Sequence, residues 1–169
     1  MKIKVDHIIV GQGLAGSCLA LQLISRKKEI VIFDEPSKNR SSSVAAGLFN
    51  PISGKWMTKA WMADEVFPEL FSFYHEAEKE LHSNFFYPRP VYRPFISIEE
   101  QNEWMARSAD RGLKDFIEIV YLTSAYGEFT DDLFGGVLTK YSGYLDVNGF
   151  VGGVKRLLVE REILSGRFF

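Results

Sequence analysis

The chain predicts an α/β fold built on a strand–turn–helix–strand unit, and three observations point to it. Val5-Asp6-His7-Ile8-Ile9-Val10 ends in a β-branched run suited to a strand buried on both faces of a parallel sheet. Gly11-Gln12-Gly13-Leu14-Ala15-Gly16 follows directly, a G-x-G-x-x-G turn that opens a long apolar segment. Ile30-Val31-Ile32-Phe33 then forms a second apolar strand, closed by Asp34.

Each part of this unit has a mechanical reason. Gly11 permits the tight turn, Gly13 lets a pyrophosphate approach the backbone, and Gly16 lets the helix pack close to the strand. The helix is expected from Leu14, with Ala15, Leu19, Ala20 and Leu23 at helical spacing. Lys27 and Lys28 fall at its end, where cations complement the helix dipole. Its N-terminus offers free N–H groups and partial positive charge to phosphates, which also brings Leu14 and Ala15 to the candidate site. Asp34 lies 18 residues beyond Gly16, where a carboxylate accepts hydrogen bonds from a ribose diol. Together these mark a Rossmann-like βαβ unit for an ADP-containing dinucleotide. The acid fits NAD and FAD alike and disfavours the 2′-phosphate of NADP.

Composition narrows the surroundings of that unit. The 169 residues carry 20 Lys plus Arg against 22 Asp plus Glu, a formal charge of −2, which argues against a general nucleic-acid binder. An apolar share of 46% with 25% charged residues is that of a folded domain. One Cys excludes a disulfide framework, and three scattered His give no metal-ligand spacing. No apolar run approaches the roughly 18 residues of a membrane helix. Asp6 and His7 stand where a signal peptide would have its apolar stretch. The expectation is a cytoplasmic protein with no metal, no membrane and no nucleic-acid partner.

After the second strand, a simple NAD-binding domain would continue with a short helix and a third strand. Pro36 to Lys55 instead mixes small, polar and apolar residues with two glycines, and is expected to form an extended loop that wraps a ligand. The Gly11–Gly16 turn, Asp34 and Ser42-Ser43-Val44-Ala45-Ala46-Gly47 together resemble the D-amino-acid oxidase family, the FAD-dependent amine and amino-acid oxidoreductases that include glycine and sarcosine oxidases. Ala46-Gly47-Leu48-Phe49-Asn50-Pro51 also resembles the FAD domain of the bifunctional tRNA-wobble-uridine-modifying enzymes of the same superfamily. The resemblance implies FAD as cofactor. It places Ser42, Ser43, Ala46 and Gly47 beside the pyrophosphate and ribityl chain, and Asn50 and Pro51 nearer the flavin ring. It further implies an FAD-binding Rossmann-like domain over 1–82 and 143–169, with part of an α+β substrate domain over 83–142.

Further along, Lys59 to Leu81 reads as an amphipathic helix with Met62, Val66, Phe67, Leu70, Phe73 and Tyr74 on one face, kinked or broken at Pro68. His75 and His82 are expected at its surface or end. Phe85 to Tyr87 and Val91 to Ile96 read as strands, which their prolines confine to edges or bends. Arg89 and Arg93 either hold a substrate carboxylate or are solvated arginines on a strand, and the second reading is the expectation. Ser97 and Glu100 form a capping box for a helix that carries Trp104 and ends near Gly112. A strand pair is expected over Phe116–Leu122 and Gly136–Lys140. Gly143-Tyr144-Leu145-Asp146 resembles the family's turn into the helix that returns to the nucleotide domain, with Asp146 as N-cap. A return strand follows over Ile163–Phe169. In the family about as much chain again follows it, so the expectation is a truncated N-terminal portion.

The functional expectation is a flavin-dependent oxidoreductase that takes a hydride from an amine or amino-acid substrate. The catalytic residues are not assigned. Open edges and aromatic surface favour a homo-oligomer. Two other readings stand beside it: an orphaned dinucleotide-binding fragment without catalysis, and an NAD-dependent dehydrogenase, which the loop after Asp34 disfavours. Cys18, with no second cysteine, reads as a buried small hydrophobe.

Overall fold

A computed structural model describes residues 4–35, 41–53 and 58–165. Pro36–Arg40, Gly54 and Lys55 of the expected loop, and Gly166–Phe169 of the expected return strand, therefore lie outside the described residues. In chain order the elements are β1 (His7–Val10), α1 (Leu14–Ser25), β2 (Ile30–Phe33), α2 (Ser41–Val44), β3 (Leu48–Phe49), β4 (Ile52–Ser53), β5 (Thr58–Lys59) and α3 (Ala63–Leu81). There follow β6 (Phe86–Pro88), β7 (Val91–Pro94), α4 (Ile98–Ser108), β8 (Ile117–Tyr121), β9 (Gly136–Thr139), β10 (Gly143–Leu145), α5 (Val147–Glu160) and β11 (Leu164–Ser165). Two compact units result. One gathers Met1–Gly47, Phe73–Phe86 and Leu145–Phe169, the other Leu48–Ser72 and Tyr87–Tyr144. Leu48–Ser72, expected with the nucleotide-binding part, groups with the second unit because Ile52, Ala63 and Phe67 share a core with Phe95, Trp104 and Phe116.

The first unit is built on a parallel sheet in the order β1–β2–β11. The register sets Ile9 opposite Ile32, and both are buried. α1 covers that side, since a Cβ on Gly16 would lie 3.5 Å from Ile9 Cγ2. The expectation that β1 is buried on both faces is corrected here. Ile8 and Val10 point the other way and are 63% and 69% exposed, because no described element packs on them. The buried face of α1 differs in part from the expected one: Ser17, Ala20 and Leu21 face inward while Ala15 and Leu19 are exposed. Close approach to the sheet selects small residues over large ones on that face.

α5 begins as the turn before it suggests. Asp146 caps it, its Oδ1 accepting the Gly149 N–H at 2.9 Å. Phe150, Val154 and Leu158 then line a fully buried face. Phe150 is the centre of an aromatic cluster, with Phe85 and Tyr74 at 5.2 and 5.3 Å and Phe73 at 6.3 Å, all inclined edge to face. The cluster takes up four of the chain's aromatic residues, which number 14 Phe, 7 Tyr and 3 Trp. The Glu78 carboxylate closes the turn after α3 by accepting the N–H groups of Phe85 and Phe86 at 2.8 and 2.9 Å.

In the second unit β7, β9 and β8 form an antiparallel sheet, with Pro94 on the outer strand β7. Its β8–β9 pair falls where the strand pair was expected. α3 starts four residues later than expected because Lys59 and Thr58 pair with Ile52 and Ser53 as β5. Pro68 sits inside α3 without breaking it, at the cost of the i→i−4 bond that an N–H at this position would have made to the Asp64 carbonyl. α4 ends at Ser108 rather than near Gly112, where a 3-10 turn over Lys114–Phe116 takes over. Ser97 caps α4 through the Glu100 N–H at 3.2 Å, while the Glu100 carboxylate reaches the Ile96 N–H at 2.9 Å instead of that of Ser97.

The long connection between β8 and β9 has no regular structure, and one carboxylate organises it. Asp132, 2% exposed, accepts from the Ser124 hydroxyl, the Ala125 and Tyr126 N–H groups and the Tyr92 hydroxyl. The Ser124 hydrogen bond, then that of the Tyr126 N–H, holds the Asp132 carboxyl well below the usual carboxylate range. A depressed folded value stabilises above the unfolded pKa of about 3.9 and loses that stability as pH falls through the folded value. Asp132→Asn is expected to lower the unfolding midpoint at neutral pH and to flatten the loss of stability below about pH 4. Thermal melts of both proteins from acid to neutral pH read this, and parallel curves would contradict it. Phe150→Ala, which empties the aromatic cluster, is expected to cost about 3–5 kcal/mol in chemical denaturation.

Candidate functional site

The site grows from the end of β1. The Gly11 N–H donates to the Phe33 carbonyl at 2.8 Å, which holds the turn to the end of β2. Gly11 then takes φ +93°, a left-handed value that a side chain would strain. One residue on, the Gln12 N–H donates to Asp34 Oδ1 at 2.9 Å, so the acid that closes β2 also fixes the turn. Asp34 is 8% exposed. Gly16 is required by distance, since a Cβ there would lie 2.0 Å from the Gly11 carbonyl oxygen.

Gly13 is the N-cap of α1 and has no side chain to cap with. The cap comes from elsewhere in the chain: the Leu14 N–H donates to Ser42 Oγ at 2.9 Å. A Cβ on Gly13 would meet that same oxygen at 3.0 Å. The serine run thus sits across the N-terminus of α1. Its residues Ser41–Val44 form one helical turn rather than the extended loop expected, because the contact with α1 gives Ser42 a fixed partner. The first-turn amides of Ala15 and Gly16 have no intrahelical acceptor by helix geometry.

Two further contacts hold α2 and the segment after it. The Asn148 side-chain amide donates to the Ser43 carbonyl at 3.3 Å, and the Leu145 N–H donates to the Gly47 carbonyl at 3.0 Å. Gly47 has φ +72°, and a Cβ there would lie 2.0 Å from the Leu145 carbonyl oxygen. The structure therefore brings Gly11, Gly13, Leu14, Ala15, Gly16, Asp34 and Ser42 together around one end of β1 and α1. Ser43 joins them through Asn148 of α5 and Gly47 through Leu145 just before it, and Ala46 is exposed between the two.

Other candidates have different surroundings. Asn50 and Pro51 belong to the second unit, where Asn50 Oδ1 accepts the Ile52 N–H at 3.0 Å and the Pro51 carbonyl accepts from Ala60 at 2.8 Å. Arg93 is held by Glu100 and lies over the Trp104 ring at 5.7 Å, as a structural arginine. Arg89 turns back to the Pro88 carbonyl. His75 is an exposed helix residue 3.5 Å from Glu78. Cys18 is half-buried against the Tyr74 hydroxyl at 3.7 Å, and burial pushes its thiol up, away from the reactive thiolate. No group of three or more potential ligands gathers to hold a metal among the described residues. Nor is any described helix long and apolar enough to cross a membrane.

Sequence reasoning passed over Gln12, Leu145 and Asn148. Gln12 occupies an unspecified position of the G-x-G-x-x-G pattern, and only a long polar residue between two glycines hinted that its side chain turns inward. Asn148 was visible as a polar residue just inside a helix capped by Asp146, but nothing local connects it to Ser43.

A glycine turn, a capped helix start and an acid at the second strand define a dinucleotide-binding βαβ unit, and comparison with known proteins refines the class. A family model for FAD dependent oxidoreductases matches residues 6–165, and the chain belongs to that family, whose cofactor is FAD. Among solved structures, glycine oxidase from Bacillus cereus ATCC 14579 superposes with a TM-score of 0.72 at 16% identity, over 96% of this chain and 46% of that one. Glycine oxidase from Geobacillus kaustophilus gives 0.69 at 16% identity, over 96% and 46%. L-amino acid deaminase from Proteus vulgaris gives 0.68 at 16% identity, over 98% and 40%. These likenesses show the fold. The chain spans less than half the length of these structures.

The residues present fit an FAD pyrophosphate on two counts. A Cβ on Gly11 would stand in open space and one on Gly13 beside Ser42 Oγ, so both glycines keep side chains out of the turn, and the Ser42 hydroxyl, which accepts from Leu14, has no acceptor for its own proton among the described residues. Ser42→Ala is expected to cost about 1 kcal/mol of stability, the usual loss of an N-cap acceptor. Denaturant titration of the two proteins checks this, and equal midpoints would remove the capping role.

Proposed function

We propose that this chain forms the FAD-binding part of an oxidoreductase that acts on an amine or amino acid. The observation that carries the reading is the meeting of the Gly11–Gly16 turn, the Ser42 hydroxyl and Asp34 at one helix start. In this reading the N–H groups of Ala15 and Gly16 and the Ser42 hydroxyl hold the pyrophosphate, aided by the positive end of the α1 dipole. Asp34 keeps Oδ1 on the Gln12 N–H and accepts from the adenosine ribose. Ser43, Ala46 and Gly47 carry the chain along the cofactor toward its flavin. Bound flavin supplies the hydride acceptor for oxidation at the carbon bearing nitrogen, and the protein contributes orientation and exclusion of water. The family assignment and the fold shared with glycine oxidase and L-amino acid deaminase support this substrate class.

A second reading is a dinucleotide-binding unit that does not turn over by itself. The exposed Ile8 and Val10 favour it, because an uncovered apolar sheet face invites self-association before catalysis. Flavin absorption of the purified protein, light scattering and assay with glycine, sarcosine and D-amino acids separate the two. Stoichiometric flavin supports the first, and ADP binding without retained flavin or turnover the second.

Two variants test the cofactor site directly. Asp34→Asn retains a carbonyl acceptor for the Gln12 N–H but loses the charge, and is expected to weaken FAD binding by roughly 1.5–3 kcal/mol. A loss smaller than about threefold in affinity would contradict the ribose role. Gly13→Val sets a branched side chain beside Ser42 Oγ and is expected to abolish ADP and FAD binding while the fold persists. Calorimetric titration reads both, and wild-type affinity in Gly13→Val would remove the phosphate assignment.

A further inference from the structure

We infer that Gln12 is a positioning residue for the pyrophosphate, its side-chain amide locking the Gly11–Gly13 turn to both α1 and α5. The inference rests on the dinucleotide-binding reading above and deepens it. Gln12 is fully buried although it sits between two glycines of a surface turn. Its Nε2 donates to Ser17 Oγ at 2.9 Å, one turn into α1, and to the Val151 carbonyl at 3.0 Å, one turn into α5. Its backbone N–H is already committed to Asp34. Three hydrogen bonds from one residue therefore tie the turn to the acid after β2 and to two helices.

Packing alone does not explain the amide. Gln12 Oε1 is buried with no donor among the described residues, and a buried acceptor without a partner destabilises. A methionine would fill the same space without that penalty. What methionine lacks is the pair of donor bonds that fix where the turn lies relative to α5. That relation matters because α5 anchors the second cofactor segment through Asn148 to Ser43, while Leu145, at the end of β10 just before α5, holds Gly47. Gln12 thus sets the spacing between the phosphate turn and the Ser42–Gly47 segment while touching neither phosphate nor flavin.

The test compares the wild-type chain with Gln12→Met and Ser17→Ala, titrating ADP by calorimetry and adenosine by NMR, with thermal melts of each. Gln12→Met is expected to weaken ADP about tenfold, the loss of two buried hydrogen bonds that hold a loop in place. Adenosine binding and the unfolding midpoint are expected to stay close to wild type, since the orphaned acceptor goes together with the two donor bonds. Ser17→Ala removes one of the two acceptors and is expected to weaken ADP about threefold. A role confined to folding predicts instead a lower midpoint, with ADP and adenosine weakened together. That pattern would overturn the inference, as would wild-type ADP affinity in both variants or a Gln12→Met chain that fails to fold. A wild-type chain that binds no ADP would overturn the dinucleotide reading itself, and is distinguished by failing before any variant is compared.

Discussion

The approach of α1 to the end of β1 is the constraint on which the first unit depends. A Cβ on Gly16 would stand 2.0 Å from the Gly11 carbonyl oxygen, so the helix can begin where it does only with glycine at that position. Everything downstream inherits the placement. The small-residue stripe Ser17 and Ala20 is what a helix so close to the sheet can bury. Bringing the helix start beside Asp34 and Ser42 then leaves its first amides facing the place where phosphate binding is proposed, with no extra structure needed to aim them.

Polar groups, not regular secondary structure, fix the irregular parts of both units. Asp132 gathers four donors and so gives shape to a connection that hydrophobic burial alone would leave loose. Glu78 does the same on a smaller scale for the turn into β6. Gln12 belongs with them, but differs in one respect. Asp132 and Glu78 collect donors as acceptors and tie down a loop, whereas Gln12 leaves its own acceptor unmatched in order to donate twice. A buried acceptor left unmatched beside two donor bonds is a local inconsistency of the kind found at functional sites.

How legible the chain was varies with the range of the interactions involved. The βαβ unit was readable because each signal is local: a β-branched run, glycines at fixed offsets, an acid at a strand end. The Asp146 cap and the β8–β9 pair were readable for the same reason. What local pattern misjudged was burial. Ile8 and Val10 carry the composition of a strand covered on both sides, yet the described elements cover only the Ile9 side. The start of α3 was misplaced because Thr58 and Lys59 pair with a strand that propensity does not reveal. The Ser41–Val44 turn was missed because its partner lies across the fold, at Leu14. Within the site the glycines and acids were visible one by one, but Gln12 and Asn148 were not, since their partners are Val151 and Ser43.

The capping contact at Ser42 bears on how the turn and the serine segment act together. A hydroxyl accepts through its lone pairs and donates through its single proton. Ser42 Oγ is engaged as an acceptor by the Leu14 N–H, which leaves its proton to choose a partner. In the proposed reading that partner is a phosphate oxygen, so the same atom caps α1 and binds the cofactor without one role displacing the other. The Leu14 N–H, being already satisfied, is then not a phosphate donor, and the burden falls on Ala15 and Gly16 one step further into the helix. An alanine at position 42 would therefore do more than remove one contact. It would free the Leu14 amide for the phosphate while releasing the Ser41–Val44 turn from α1, exchanging a fixed geometry for a looser one with the same number of donors.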